Sequence, residues 1–210
     1  MDSKQHLFSL YGDLIPLKFP MIEENIANLL SDYQSSWVQY NRKKPHIKRF
    51  GLSLTSLDGG LSGIPDLDSV KEYNELHKVS YDEKDFNVRT PVANCSHAVK
   101  AVLDSFPSLG RSHYIKFESG GHFPFHRDGN FRLPATSLRV FSLAQGRNKS
   151  DFVWLQEDRI LPLKERKWYA INTFKEHAVF SFSSETIITV LNIPFTEANL
   201  NVILDHMEIQ

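Results

Sequence analysis

One cysteine, Cys95, stands in 210 residues, so no intramolecular disulfide can hold this chain together. A lone thiol suits a reducing compartment, and a chain of this length can bury a core without covalent or metal staples. Its neighbours, "ANCSHAV", hold no second cysteine, and Cys95 reads as a small buried or helix-start residue. The chain also lacks a dominant charge. The formal net charge of -1 provides no field to recruit nucleic acid or an acidic membrane. No run approaches the eighteen apolar residues of a membrane span, and "MDSKQHLFSL" lacks the charged and apolar regions of a secretory leader. The expectation is a cytoplasmic protein without nucleic-acid or membrane partners. Internal repeats, low-complexity tracts and linkers are missing too, so a single domain over 1–210 is expected.

What is present divides into two parts. Residues 1–110 read as helix-rich. "FPMIEENIANLLSDYQSSW" carries Ile22, Ile26, Leu29, Leu30 and Tyr33 at helical spacing behind Pro20. A short strand is expected at 49–57, a Gly/Pro/Asp loop after it, and a short helix at 69–78. "ANCSHAVKAVLDSFPSLGR" predicts a better helix, capped by Asn94 or Ser96, with Val99, Val102, Leu103 and Phe106 as its buried stripe. The basic run "NRKKPHIKRF" at 41–50 reads as a solvated loop.

Beyond Gly110 the pattern changes. "SHYIKFE", "SLRVFSLAQ", "DFVWLQ", "RILPL", "KWYAINT", "HAVFSFS" and "TIITVLNI" are β-branched or aromatic runs separated by turn clusters. Seven short strands at this spacing predict a mainly β, jelly-roll core over 111–195, with N-terminal helices packed on it and a C-terminal tail at 196–210.

The chemistry concentrates in "GGHFPFHRDGN", 120–130. In extended backbone, residues i and i+2 face the same way, so His126 and Asp128 project together and Arg127 points outward, where it should tolerate substitution. An imidazole and a carboxylate side by side supply two metal ligands. A histidine from a neighbouring strand would complete a facial set of the kind that suits non-haem Fe(II). His113 and His122 are nearby in sequence, whereas His177 opens a later strand and is the better third ligand. His-Arg-Asp also opens the kinase catalytic loop, but the Asn four residues after the Asp, the Gly-rich loop and Asp-Phe-Gly are all missing.

"GRSHYIKFESGGHFPFHRD", then "LRVFSL", then "WYAINTFKEHAVFSFSSETIITVLNI" resembles the core of the aspartyl/asparaginyl β-hydroxylase-like oxygenases over roughly residues 105–193. "DFNVRTPV" is similar to that family's lead-in. The resemblance implies a cupin-like double-stranded β-helix and the cofactors Fe(II), 2-oxoglutarate and O2. It implies His126, Asp128 and His177 as iron ligands and Arg139 as the partner of the co-substrate's distal carboxylate. A guanidinium fork matches a carboxylate bidentately. It further implies hydroxylation of a C–H bond in an amino acid, free or within a peptide (Asp/Asn or Pro type), as small-molecule or peptide substrate.

Two positions depart from the family. Thr186 stands where an arginine aligns, and Phe141 where a histidine often follows Arg139. Arg139 then acts alone, another base such as Lys116 assists, or the co-substrate is not 2-oxoglutarate. Arg132, Trp168 and Tyr169 are candidate lining residues. The rival readings are a cupin-type metal enzyme that does not use 2-oxoglutarate and a non-catalytic binding module using the basic stretch Arg42–Arg49. Metal cupins generally use three His plus a Glu, and no His-x-His pair occurs here.

Overall fold

The computed structural model describes residues 3–128 and 136–208, so Arg132 lies outside the described residues. Two antiparallel sheets face each other as a double-stranded β-helix. The larger runs β1 (Leu14–Leu17), β11 (Trp168–Ile171), β8 (Ser137–Gln145), β13 (Ile187–Pro194), β6 (His113–Phe117), β3 (Arg49–Ser53) and β2 (Val38–Gln39). The smaller runs β10 (Arg159–Ile160), β9 (Phe152–Gln156), β12 (His177–Ser181) and β7 (His122–His126). A separate pair joins β4 (Thr55–Ser56) and β5 (Val88–Arg89).

The larger sheet is buried on both faces, which explains the near-continuous apolar run of β8. Phe141 and Leu143 face the smaller sheet, packed with Ile115, Phe117, Phe152 and Val179. Leu138 and Val140 point the other way, onto helices α1 (Ser3–Tyr11), α4 (His97–Ser105) and α5 (Glu197–His206). Two helix-covered and sheet-covered cores therefore share one sheet, and strict alternation of polar with apolar residues disappears from its central strands.

The N-terminal part is less helical than its sequence predicts. The strand expected at 49–57 appears as β3 and β4, but β1 and β2 were not expected, and β1 on one side and β3 with β2 on the other form the edges of the larger sheet. The expected helix through 20–37 breaks into α2 (Ile26–Leu29) and a 3₁₀ turn, Ser31–Ser36. The residues before it are held extended by long-range bonds. Ile22 N–H donates to Arg166 O (3.1 Å), and the Glu23 carboxylate accepts from His97 N, Ala98 N and Ser96 Oγ at the start of α4. That carboxylate satisfies amides that no intrahelical carbonyl can reach, and this outweighs a local helix. α4 starts as expected, with Ser96 Oγ accepting from Val99 N (3.0 Å). Cys95 precedes that cap and is half-buried. α3 (Val70–His77) matches the expected short helix. Within the stretch expected as a tail, α5 runs beside β1: Lys18 N–H donates to His206 O (2.7 Å) and Glu208 N–H donates to Pro16 O (2.9 Å).

Candidate metal centre

The hairpin from β6 to β7 sets up the site. Gly120 sits at φ +82, in the left-handed region that favours glycine, and a Cβ on Gly121 would meet Lys48 O at 2.4 Å. The two glycines let the chain turn tightly against the β3 approach and send β7 along the edge of the smaller sheet. Pro124 is tolerated in β7 because an edge strand needs fewer ladder donors.

His126 closes β7 and pairs in register with His177 at the start of β12. Their ring centroids are 4.3 Å apart. Asp128 lies two residues on, its N–H donating to Thr173 O (2.9 Å), while Arg127 is exposed as expected. One ligand atom from each of His126, Asp128 and His177 lies within 4.8 Å of the others.

Hydrogen bonding selects which imidazole nitrogens face inward. His126 Nδ1 lies 2.7 Å from Pro124 O and His177 Nδ1 lies 2.9 Å from Lys175 O. A carbonyl only accepts, so both Nδ1 atoms carry hydrogen and both Nε2 lone pairs are free for a metal. Burial pushes His177 down to about 4, so it is neutral at neutral pH. Burial alone would raise the Asp128 carboxyl. The Arg139 guanidinium outweighs that and, with His177 and His126, brings it down to about 2. Two imidazoles and one carboxylate fit a divalent first-row metal such as Fe(II).

Arg139 projects from β8 into the same space, but in contact with Asp128 rather than apart from it: its Nη2 donates to Asp128 Oδ2. Asp128 Oδ1 instead faces His126 Nε2, 3.7 Å away. The carboxylate can therefore bind a metal through one oxygen and Arg139 through the other. Arg139, expected to hold the co-substrate's distal carboxylate, instead spends one of its donors, on Nη2, on Asp128. Thr186 is fully buried outside the cavity. On that rung, Phe117 N–H donates to Thr186 O (3.0 Å) and Phe117 pairs on its other side with Arg49.

The centre opens into a cavity of about 270 Å³ lined by Tyr40, Ile115, Phe141, Trp154 and Val190, among others. Trp154 lies parallel to His177, with centroids 5.2 Å apart and planes 12° from each other. Arg111 and Glu83 form an ion pair (3.0 Å) in the cavity wall. His113 is buried there and is not one of the grouped ligands. Burial first, then the charges of Arg111, Arg139 and Arg49, holds its imidazole well below 6.5. Three atoms of lining residues, His113 Nδ1, Trp154 Nε1 and Arg111 Nε, are buried without a hydrogen-bond partner. Such polar atoms are costly unless something polar meets them.

Several expected contributors are elsewhere. Lys116 points away from the cavity, its Nζ 4.9 Å from the Trp37 ring centre. Trp168 is fully buried in the helix-covered core and donates to Pro20 O (2.9 Å). Tyr169 is buried and its hydroxyl accepts from Lys164 N (2.9 Å). His122 stacks on Phe180 at the other end of β7.

Arg49 was hidden in the run read as a solvated loop. Lys43 and Lys44 are exposed as that reading requires, and Arg42 pairs with Asp68 (2.6 Å). Arg49 is only 4% exposed. Its guanidinium carbon lies 3.7 Å from the Phe123 ring centre and 5.0 Å from that of Tyr40. It donates to His122 O (3.3 Å), its Nε is unpartnered, and among the described residues no carboxylate pairs with it. Burial lowers it to about 10, so it remains charged at neutral pH. Ring contacts offset about 2 kcal/mol of such burial, against a penalty of several kcal/mol per ion. The protein alone leaves this charge under-compensated.

No protein-family model matches the sequence, and no curated protein matches it. Solved structures that resemble it include a predicted oxalate decarboxylase from Thermotoga maritima, 10% identical over 46% of this chain and 73% of that one (TM-score 0.33). An RmlC-like cupin from Shewanella frigidimarina is 15% identical over 41% and 68% (TM-score 0.30). A Streptococcus pyogenes protein of unknown function is 11% identical over 42% and 67% (TM-score 0.31). The functional reading therefore rests on the residues of the site.

Proposed function

We propose that the chain is an Fe(II)- and 2-oxoglutarate-dependent dioxygenase that hydroxylates a C–H bond of an amino acid, free or in a peptide. The observation that carries this is the set of His126, Asp128 and His177 in the cavity lining, with both Nδ1 atoms engaged by backbone carbonyls and both Nε2 atoms left for a metal. Fe(II) in this set would supply O2 activation coupled to oxidative decarboxylation of the 2-oxo acid.

The chain's own residues do the rest. Pro124 O and Lys175 O fix the imidazole tautomers, and Arg139 orients Asp128. Phe141, Val190 and Trp154 exclude water from the reacting end. The cavity volume suits a small substrate or one peptide side chain. The test is uncoupled succinate release with Fe(II), 2-oxoglutarate and O2, followed by a screen of free amino acids and short peptides. Turnover lost in Asp128→Ala, with the fold intact, supports the reading.

The Arg139–Asp128 contact favours a second reading, because it turns Nη2 of the arginine expected to meet the co-substrate towards a metal ligand instead. On that reading the chain is a cupin-type metal-binding module that is non-catalytic or does not use 2-oxoglutarate. Metal binding without succinate release under any substrate would select it.

A further inference from the structure

We infer that Glu83 and Arg111 recognise the charged end of a free α-amino acid, Glu83 taking its ammonium group and Arg111 its α-carboxylate. This names the substrate class of the oxygenase reading and rests on that reading for the reaction, although not for the binding itself.

Both residues line the cavity that holds His126, Asp128 and His177. They lie on separate segments that are tied together twice. Arg111 N–H donates to Glu83 O (2.8 Å), and Arg111 Nη2 donates to Glu83 Oε1 (3.0 Å). Glu83 opens a 3₁₀ turn, Glu83–Asp85, which is closed by Asp82 N–H donating to Asp85 Oδ2 (2.7 Å). Arg111 Nη1 donates to Asp68 O (3.0 Å) and anchors the guanidinium a second time. The pair is fixed before any ligand arrives, which lowers the ordering cost of binding.

Its own contact does not use the pair up. An arginine has five N–H donors, and among the described residues Arg111 spends its side chain on two acceptors, with Nε left unpartnered. Of the two Glu83 carboxylate oxygens, only Oε1 is hydrogen-bonded among the described residues, and the side chain is 31% exposed. The charge of Glu83 also reaches the metal end of the cavity, where it supports the Arg139 cation second only to Asp128.

The two charges together select the ligand. A carboxylate alone would meet Arg111 but be repelled by Glu83, and an amine alone would meet the reverse. A zwitterion satisfies both. An interior residue of a peptide carries neither charge on its backbone, so the pair also separates a free amino acid from the same residue within a chain.

The test is calorimetric titration of the Mn(II)-loaded protein, with and without 2-oxoglutarate, against the free L-amino acids, each beside its N-acetyl and α-carboxamide derivatives. Wild type should bind at least one free amino acid, and either blocking group should weaken that ligand by about tenfold or more, the loss of one hydrogen bond to a charged group. Glu83→Gln can still accept from Arg111 through its amide oxygen and should keep the fold by circular dichroism. It should cut the penalty for N-acetylation to about twofold and leave the penalty for amidation in place. Glu83→Asp keeps the charge and should retain part of the N-acetyl penalty. Arg111→Lys should reduce the amidation penalty instead.

Binding of none of the free amino acids, equal binding of free and blocked forms, or an undiminished N-acetyl penalty in Glu83→Gln overturns the inference. Free amino acids that bind with these preferences but release no succinate with Fe(II), 2-oxoglutarate and O2 uphold the site and count against the oxygenase reading. Succinate released only with peptides or blocked amino acids upholds the oxygenase reading and overturns the site.

Discussion

Replacing Arg139 by Met tests whether this arginine serves Asp128. Asp128 is held at about 2 against an ordinary 3.8, largely because Arg139 outweighs the effect of burial. That difference converts to about 2 kcal/mol, and stranding a buried carboxylate raises the cost towards about 3–5 kcal/mol. In a chain of this size, a loss of about 2–5 kcal/mol lowers the melting temperature by roughly 5–20 °C. A depressed carboxylate pKa contributes stability above pH 3.8 that fades as pH falls towards 2, so the gap between wild type and variant should narrow in that window. Saturating Mn(II) should also narrow it, because the ion replaces the positive charge that Asp128 has lost. Differential scanning fluorimetry at pH 7, with and without Mn(II), reads both effects. An unchanged melting temperature without metal, or an equal loss with and without Mn(II), would refute the assignment of Arg139 to Asp128.

Other perturbations give separate readouts. His113→Leu should flatten the acid sensitivity of folding, because the buried, neutral His113 costs stability once pH falls below the unfolded value of 6.5. Urea unfolding at pH 7 and pH 5 measures it. Asp13→Asn should weaken Mn(II) binding about tenfold, because Asp13 accepts from Asn172 Nδ2 (2.8 Å) and Lys175 Nζ (3.1 Å). That loop supplies the carbonyls that hold Asp128 and His177, and electron paramagnetic resonance of bound Mn(II) would report the change. Glu23→Ala uncaps α4 and should cost about 1–2 kcal/mol in chemical denaturation, with metal affinity unaffected.

The β core was legible because its strands are short, aromatic and punctuated by turns. The pairing of His126 with Asp128 was legible because two-residue spacing survives even though β7 ends at His126. His177 was legible as the opening residue of a strand. The strand expected at 49–57 is there as β3 and β4, but β1 and β2 were harder, since LIPL is four residues long and contains a proline, β2 is two residues long, and β1 gains its place only by pairing with a distant strand. The helix expected at 20–37 had sound periodicity and lost to the capping demand of α4. Arg49 was illegible for a different reason. Its neighbours in "RKKPHIKR" are ordinary surface charges, and only pairing of β3 with β6 turns this one side chain inward. The contact of Arg139 with Asp128 depends on β8 and the end of β7 converging, which no local spacing reveals.

The most direct test of the central claim is anaerobic titration of Fe(II) and 2-oxoglutarate into the protein, followed by visible absorption. A 2-oxo acid chelated to Fe(II) gives a metal-to-ligand charge-transfer band. The facial set of His126, Asp128 and His177 predicts that band in wild type and its loss in His177→Ala, with the fold retained by circular dichroism. No band in wild type, or an undiminished band in His177→Ala, would contradict the account.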